Sequence, residues 1–337
     1  MPITTTQHPV ASHVAIITGG SSGIGLATAM LFAKRGWRVG LIARGEAALV
    51  NAADQIRAQG GRVATAVADV ADRHALAEAA HRITAELGPM EVWVNDAGAA
   101  VVATFQDTSD EEFHRVVDTT FFGQVNGTRV ALDAMTPRGR GVIVGIGSEV
   151  AFRAMPMLSA YSASKFALRG FYEALRAELM AAHSPIHVGM VHPPAINTPF
   201  FAHAAAHLDD VDETPSPPPP YYEPELIAEA VWLVASERRR ELKVTGATVV
   251  MAFANAIAPG LLDQVLSRVG SGMQVTRRRD AAAARDPALL KPGRRAPAVH
   301  GVFGDGVKKS SAQMWLARNR YTIGLSTVAL LWATRRR

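Results

Sequence analysis

Apolar residues in this chain fall in short unbroken blocks separated by helical stretches. Val14-Ala-Ile-Ile-Thr18, Trp37-Arg-Val-Gly-Leu-Ile-Ala43, Val63-Ala-Thr-Ala-Val-Ala68 and Glu91-Val-Trp-Val-Asn95 are the first four, followed by Gly141-Val-Ile-Val-Gly-Ile146, Ile186-His-Val-Gly-Met-Val191 and Ala247-Thr-Val-Val-Met251. Most are apolar throughout rather than alternating, as a strand must be when helices cover both faces of a parallel sheet. Helical periodicity fills the gaps, with one helix from about Gly23 to Lys34 and an alanine-rich one ending at Ala58. The alternation predicts an α/β fold: a doubly wound (Rossmann) parallel sheet of about seven strands with helices on both faces.

Two segments break the rhythm. Residues 195–223 run through Asp209-Asp210, Asp212-Glu213 and Pro217-Pro-Pro-Pro220. A connection that long without a strand or helix of its own is commonly functional, and its place after the sixth block makes it a candidate lid over the carboxyl edge of the sheet. The second segment starts near Gly270, which divides the chain into residues 1–270, a main doubly wound (Rossmann-type) domain, and 271–337, a basic extension. From Arg268 onward there are fifteen Lys or Arg and three Asp or Glu. The arm therefore carries +12 of a chain whose total is +5, which leaves −7 on the remainder. Prolines and small residues among the cations read as a solvated arm. Such an arm gives at most salt-sensitive, nonspecific binding to nucleic acid, and no aromatic residues interleave with its cations as a stacking surface requires. The last apolar run, Tyr321 to Thr334, makes roughly 21 Å of helix, short of a bilayer core of about 30 Å. Docking on its own protein is the plainer expectation for it; a dimer contact or a peripheral membrane contact is the alternative.

Composition narrows the chemistry. With 48% apolar and 19% charged residues the chain reads as a soluble globular protein, and the polar opening from Met1 to Ser12 makes a cytoplasmic location the default. It has no cysteine, which excludes disulfides and thiol catalysis. No His-x-x-x-His pair with a nearby Glu occurs among its eleven histidines, so no metal is expected.

Thr18-Gly-Gly-Ser-Ser-Gly-Ile-Gly25 follows the first strand and opens a helix, the context a phosphate-binding turn needs. Gly19 suits a tight turn, Gly23 and Gly25 a close approach of pyrophosphate and sheet, and the helix N-terminus offers free N–H groups. Thr18, Ser21, Ser22 and Ile24 complete this turn. After the second strand, where an acid would take the ribose hydroxyl of NAD, stand Ala43 and Arg44. A guanidinium suits a 2′-phosphate, which favours NADP(H) over NAD(H).

Tyr161 and Lys165 are spaced i,i+4, on one helix face about 6 Å apart along the axis. Ser148 lies 13 positions before the tyrosine. A free tyrosine titrates near 10, and a lysine charge at about 4.5 Å in an effective dielectric near 20 supplies about 4 kcal/mol, roughly three pKa units. This trio predicts proton transfer coupled to hydride transfer, with Ser148 donating to a carbonyl oxygen as charge develops.

With Asp69-Val70, Asn95-Asp-Ala-Gly98 and His192-Pro-x-x-x-Asn-Thr198 added in order, the chain resembles the short-chain dehydrogenase/reductase family over about residues 12 to 255. The resemblance implies that Tyr161 is the general acid of ketone reduction and the base of alcohol oxidation, and that Lys165 also holds the nicotinamide ribose. It places Asp69 and Val70 beside the adenine, and Asn95, Ala97 and Gly98 along the coenzyme. Pro193, Ile196 and Thr198 fall at the nicotinamide carboxamide, and a homo-oligomer is implied. Two departures stand out. Thr120 occupies the place of the asparagine that organises the family's proton relay, and Pro193-Pro194 replaces Pro-Gly. The expected pocket residues Phe152, Met155, Met157, Leu158, Phe200 and Phe201 are apolar, with Arg153 the one candidate partner for a carboxylate. An apolar ketone, aldehyde or secondary alcohol is the expected substrate. An NAD-linked alcohol dehydrogenase and a catalytically weak nucleotide sensor or scaffold are the competing readings.

Overall fold

A computed structural model of the chain describes residues 13–320 apart from 209, 297 and 305. Its centre is a seven-stranded parallel sheet. The strands are β1 (Val14–Thr18), β2 (Arg38–Ala43), β3 (Val63–Val67), β4 (Val92–Asn95), β5 (Val142–Ile146), β6 (His187–His192) and β7 (Glu241–Lys243). They lie in the order β7-β6-β5-β4-β1-β2-β3. The chain reverses direction across the sheet between β1 and β4, so their carboxyl ends splay apart and leave the crevice that binds ligands in such folds.

Helices cover both faces because both faces are apolar. On one side α1 (Gly23–Lys34), α2 (Glu46–Ala58) and α8 (Pro224–Ser236) bury Leu26, Phe32, Leu49, Ile56 and Ile227 against Ala15, Ile17 and Val144. On the other, α3 (Arg73–Leu87), α5 (Gly123–Met135) and α6 (Ser159–Ala181) bury Leu76, Ile83, Val130, Leu168 and Tyr172 against Ile16, Trp93 and Ile143. Asp72 caps α3 through the N–H groups of His74 and Ala75, and Ser109 with Glu112 forms a capping box on α4 (Asp110–Val117).

Three expectations need correction. The seventh strand is Glu241–Lys243, not Ala247 to Met251. As a short edge strand only its central Leu242 is buried, so charged residues flank it and no apolar block marks it. The block at 247–251 lies in α9 (Gly246–Ile257), which Thr245 starts by accepting the N–H of Thr248. Nor is the segment 195–223 free of regular structure. It contains the short α7 (Phe200–His203), a two-residue strand at Ala205–Ala206 beside Val101–Val102, and another at Thr214–Pro215 beside Val275–Thr276.

The last of those pairings also corrects the reading of the arm. Residues beyond 270 fold back onto the domain, and the helical turn at 312–320 buries Met314 and Ala317 in the core beneath α8. The terminal apolar run from 321 and the first twelve residues lie outside the described residues. Among the described residues no single helix is long and apolar enough to cross a membrane.

Candidate active site

The glycine turn is shaped by close approach. Gly19 (φ +70°) sits where a Cβ would come within 2.9 Å of Ala97 N, and at Gly25 a Cβ would meet Gly19 O at 2.4 Å. Gly23 (φ +52°) carries the chain into α1, whose N-cap Ser22 makes no side-chain cap bond. Of the donors at that helix end, the Gly23 N–H is taken by Ala298 O at 2.9 Å. Thr18 ties the two central strands together: its hydroxyl donates to Val94 O at 3.3 Å and accepts from Asp96 N at 3.2 Å.

One large cavity, about 480 Å³, joins this turn to the tyrosine. Gly19, Ser21, Ser22, Gly23 and Ile24 line it at one side, Arg44, Asp69 and Val70 at the end beyond the turn, and Ala97, Gly98, Pro193, Ile196 and Thr198 along its length. Ser148, Tyr161 and Lys165 line it at the other end. Ser148 starts the turn after β5, accepting Val150 N at 3.3 Å, and its side chain lies beside the Tyr161 phenol. The buried Lys165 donates to Ile146 O at 2.7 Å and lies 5.4 Å from the Tyr161 ring centroid. The Tyr161 ring packs on Phe200, 5.4 Å between centroids.

Burial dominates the electrostatics. It lowers Lys165 to about 8, with Asp96 working the other way, and it raises Asp96 to about 7 despite Lys165 and the Gly25 N–H. Glu149, next to Ser148, is raised to about 7 by burial and partly restored by its bond to Thr248. The Tyr161 phenol is pushed above its ordinary range by burial, with Asp96 and Glu149 adding to the rise and Ser148 opposing it. That reverses the expectation of a strongly acidified phenol. The reason is that desolvation, with Asp96 and Glu149 added, outweighs the opposing effect of Ser148. His192, buried behind Ser148 with Nδ1 3.3 Å from its carbonyl, is lowered to about 4 and stays neutral.

Some expected residues sit elsewhere. The Asn95 side chain faces away from the cavity into a buried network, accepting from Trp93 Nε1 at 2.7 Å and donating to Thr128 and Tyr172 at 3.0 Å. The Thr120 hydroxyl accepts from Ala99 N at 3.0 Å and donates to Ala99 O at 3.1 Å, so it is spent on backbone and is not a relay group. Its neighbour Thr119, on the π-turn Asp118–Phe122, lines the cavity with a buried hydroxyl that has no partner. Gly25 and Thr18 support the turn from behind rather than line the cavity. Met155, Leu158, Phe200 and Phe201 line the substrate end, whereas Phe152 is enclosed by His192, Arg169 and Lys243. Arg153 is already held by Asn255 at 3.0 Å and Asp263 at 2.5 Å.

The sequence reading missed Glu149 and the arm. A carboxyl beside Ser148 is visible in sequence, but its contact with Thr248 is not. Asp286, Ala288, Leu289, Pro292, Gly293 and Ala298 form the outer wall beside Arg44, which donates to the carbonyls of Leu289, at 3.0 Å, and Ala288. Asp69 is paired with Arg115 at 2.5 Å in the same corner.

A parallel sheet with its glycine turn at the switch point and a Ser-Tyr-Lys group in the same cavity defines a dinucleotide-dependent class of protein. The short chain dehydrogenase family matches residues 13–209, and the chain belongs to that family. It is 33% identical over 262 residues to the uncharacterized oxidoreductase YxnA of Bacillus subtilis, covering 76% of this chain and 72% of that protein. Among solved structures it is similar to a single-residue variant of the actinorhodin polyketide ketoreductase with NADPH: 35% identity, TM-score 0.54, 57% of this chain and 73% of that one. A short-chain dehydrogenase/reductase from Burkholderia phymatum in complex with NAD shares the fold at 22% identity, with a TM-score of 0.67 over 74% of this chain and 95% of that one.

Proposed function

We propose that the protein is an NADP(H)-dependent oxidoreductase that reduces apolar ketones or aldehydes, or oxidises the matching secondary alcohols, with Tyr161 as general acid and base. The observation that carries this reading is that Ser148, Tyr161 and Lys165 line one cavity with the glycine turn. The cavity fits a dinucleotide: the glycine turn lines it at the start of α1, where Ser22 makes no side-chain cap bond, and the Thr119 hydroxyl is unpartnered in its wall. Ser22, Gly23 and Ile24 would hold the pyrophosphate, Asp69 and Val70 the adenine, Arg44 a 2′-phosphate, and Pro193, Ile196 and Thr198 the carboxamide.

The nicotinamide, when bound, supplies or accepts the hydride. The chain's own residues manage the proton. Tyr161 carries its proton at neutral pH, as an acid must. It passes that proton to the carbonyl oxygen as negative charge builds there. Ser148 donates to the same oxygen, and the Lys165 ammonium stabilises the phenolate left behind. Apolar walls from Met155, Leu158, Phe200 and Phe201 exclude water. With Arg153 engaged and Glu149 facing the cavity, an anionic substrate finds no partner.

The ketoreductase relative described with NADPH supports both the reaction and the coenzyme. By family resemblance the protein works as a homo-oligomer. Nucleotide absorbance with a panel of carbonyl compounds tests the reading: turnover of neutral ketones with NADPH ahead of NADH is expected. Turnover of none with either nucleotide would defeat it.

A further inference from the structure

Residues 285–303 lie beyond the matched family region, yet they are fastened at both ends to the substrate-side segment 197–204. At the first end Arg285 Nη1 donates to Phe201 O at 3.1 Å and Ala204 O at 2.8 Å. Asp286 N donates to Ala202 O at 3.0 Å, and Ala288 N to His203 O at 2.8 Å. At the other end Gly301 N donates to Asn197 O at 3.1 Å, and Phe303 N to Asn197 Oδ1 at 3.0 Å.

Between these ends the strap crosses the adenosine half of the cavity. Leu289 is buried against Val101 and Val116, and its carbonyl accepts from Arg44 Nη1 at 3.0 Å and Arg115 Nε at 3.2 Å. The Ala288 carbonyl takes Arg44 Nη2. Asp286 closes the turn by accepting the N–H groups of Arg294 and Arg295 at 2.8 and 2.9 Å. Ala298 O accepts Gly23 N at 2.9 Å.

We infer that this strap is a determinant of coenzyme specificity, its Ala288 and Leu289 carbonyls occupying the guanidinium donors through which Arg44 would take the 2′-phosphate of NADP(H). The inference rests on the proposed reading of the cavity as the coenzyme site. A nucleotide without the 2′-phosphate leaves both Arg44 bonds in place. One with it sets a dianion, a stronger partner for a guanidinium, in competition with these two neutral acceptors, and it gains the whole fork only when the strap withdraws. The Gly23–Ala298 contact meets the part common to both nucleotides, so it drops out of their ratio. The strap thereby holds NADP(H) affinity below what Arg44 alone would give.

The test compares dissociation constants of NADPH and NADH, by nucleotide fluorescence, for the full-length wild type, Asp286→Ala, Arg44→Ala and the double variant. Asp286→Ala frees the turn while leaving Arg44 intact. It should tighten NADPH relative to NADH by about tenfold, a gain of the size expected when charged donors are released from competing acceptors. In the Arg44→Ala background the shift should vanish. An unmoved ratio, or a shift that survives loss of Arg44, overturns the inference. Trypsin digestion of the wild type gives a second reading independent of the variant's folding. NADPH should speed cleavage at Arg294 and Arg295 and NADH should not; equal effects of the two nucleotides overturn the inference. If the wild type binds neither nucleotide, the coenzyme reading itself fails and takes this one with it. Binding with an unmoved ratio removes the strap's role alone.

Discussion

The Lys165 ammonium donates to the Ile146 carbonyl at 2.7 Å and sits 5.4 Å from the centre of the Tyr161 ring. The lysine is therefore anchored to β5 rather than spent on the phenol, and its charge is shared with the buried Asp96. Its burial is costly, which is why it titrates near 8 instead of near 10.5. Tyr161, in contrast, keeps its proton well into alkaline solution.

This ordering predicts the pH profile. For carbonyl reduction, kcat/KM should fall on the alkaline side with an apparent pKa near 8, as Lys165 loses its charge and the phenolate its stabilising partner. Initial rates at fixed saturating NADPH between pH 6 and 10 measure it. A limb at or above 10, the ordinary tyrosine value, would assign the loss to the phenol instead.

Removing the proton donor should be at least as damaging as removing the helper. Tyr161→Phe keeps the ring against Phe200 and should cost about 10²–10⁴-fold in kcat, the usual worth of a placed general acid. Ser148→Ala should cost about 10²–10³-fold, the worth of one donor to a developing oxyanion. NADPH affinity should change less than threefold in Tyr161→Phe, by the same fluorescence titration. Residual turnover above a tenth of wild type would remove Tyr161 from its role.

How much of this was legible in the sequence follows from the range of the interactions. Six of the seven strands stand in the sequence as apolar blocks, five of them because they are buried on both faces and the edge strand β3 although Thr65 and Val67 are exposed. Glu241–Lys243 is hidden by its short, charged edge position. Gly19, Ser148, Tyr161 and Lys165 are recognisable because their spacing along strand ends and one helix fixes their neighbours. Asn95 and Thr120 sit at the right places in the chain but turn their side chains away, toward Tyr172 and Ala99 respectively. The bonds from Arg44 to Ala288 and Leu289 span some 245 positions, and no local pattern announces them.

The Asn95 network makes a prediction about stability rather than activity. In Asn95→Leu the Trp93 indole N–H loses its acceptor, and Tyr172 and Thr128 lose a donor, all in a dry core. Leaving such groups unpaired costs about 1–3 kcal/mol each before relaxation, so a total loss of about 3 kcal/mol is expected. Urea unfolding measures it, and NADPH affinity of the folded variant should be unchanged. A variant as stable as wild type but with weakened NADPH binding would return Asn95 to the coenzyme wall.

Glu149 links stability to pH and to the substrate. Its carboxyl is raised to about 7 in the fold from an ordinary 4.5, so its contribution to stability is complete below pH 4.5 and is lost as pH rises through 7. Above that the ionised group is held at a cost of up to about 3 kcal/mol, the equivalent of its shift. A glutamine there has the shape and the Thr248 contact without the charge. Glu149→Gln should therefore match wild type at pH 5 and exceed it at pH 8, by urea unfolding at the two values. Asp96 slopes the same way as Glu149, and His192, lowered to about 4, slopes the opposite way as pH falls below 6.5. Both are present in each protein, so the difference between the two isolates Glu149. The same substitution should admit substrates the carboxylate repels: a keto acid that wild type turns over poorly at pH 8 should gain about tenfold in kcat/KM, with a neutral ketone little changed. An equal stability difference at both pH values, with no gain for the keto acid, would place Glu149 outside the substrate end of the cavity.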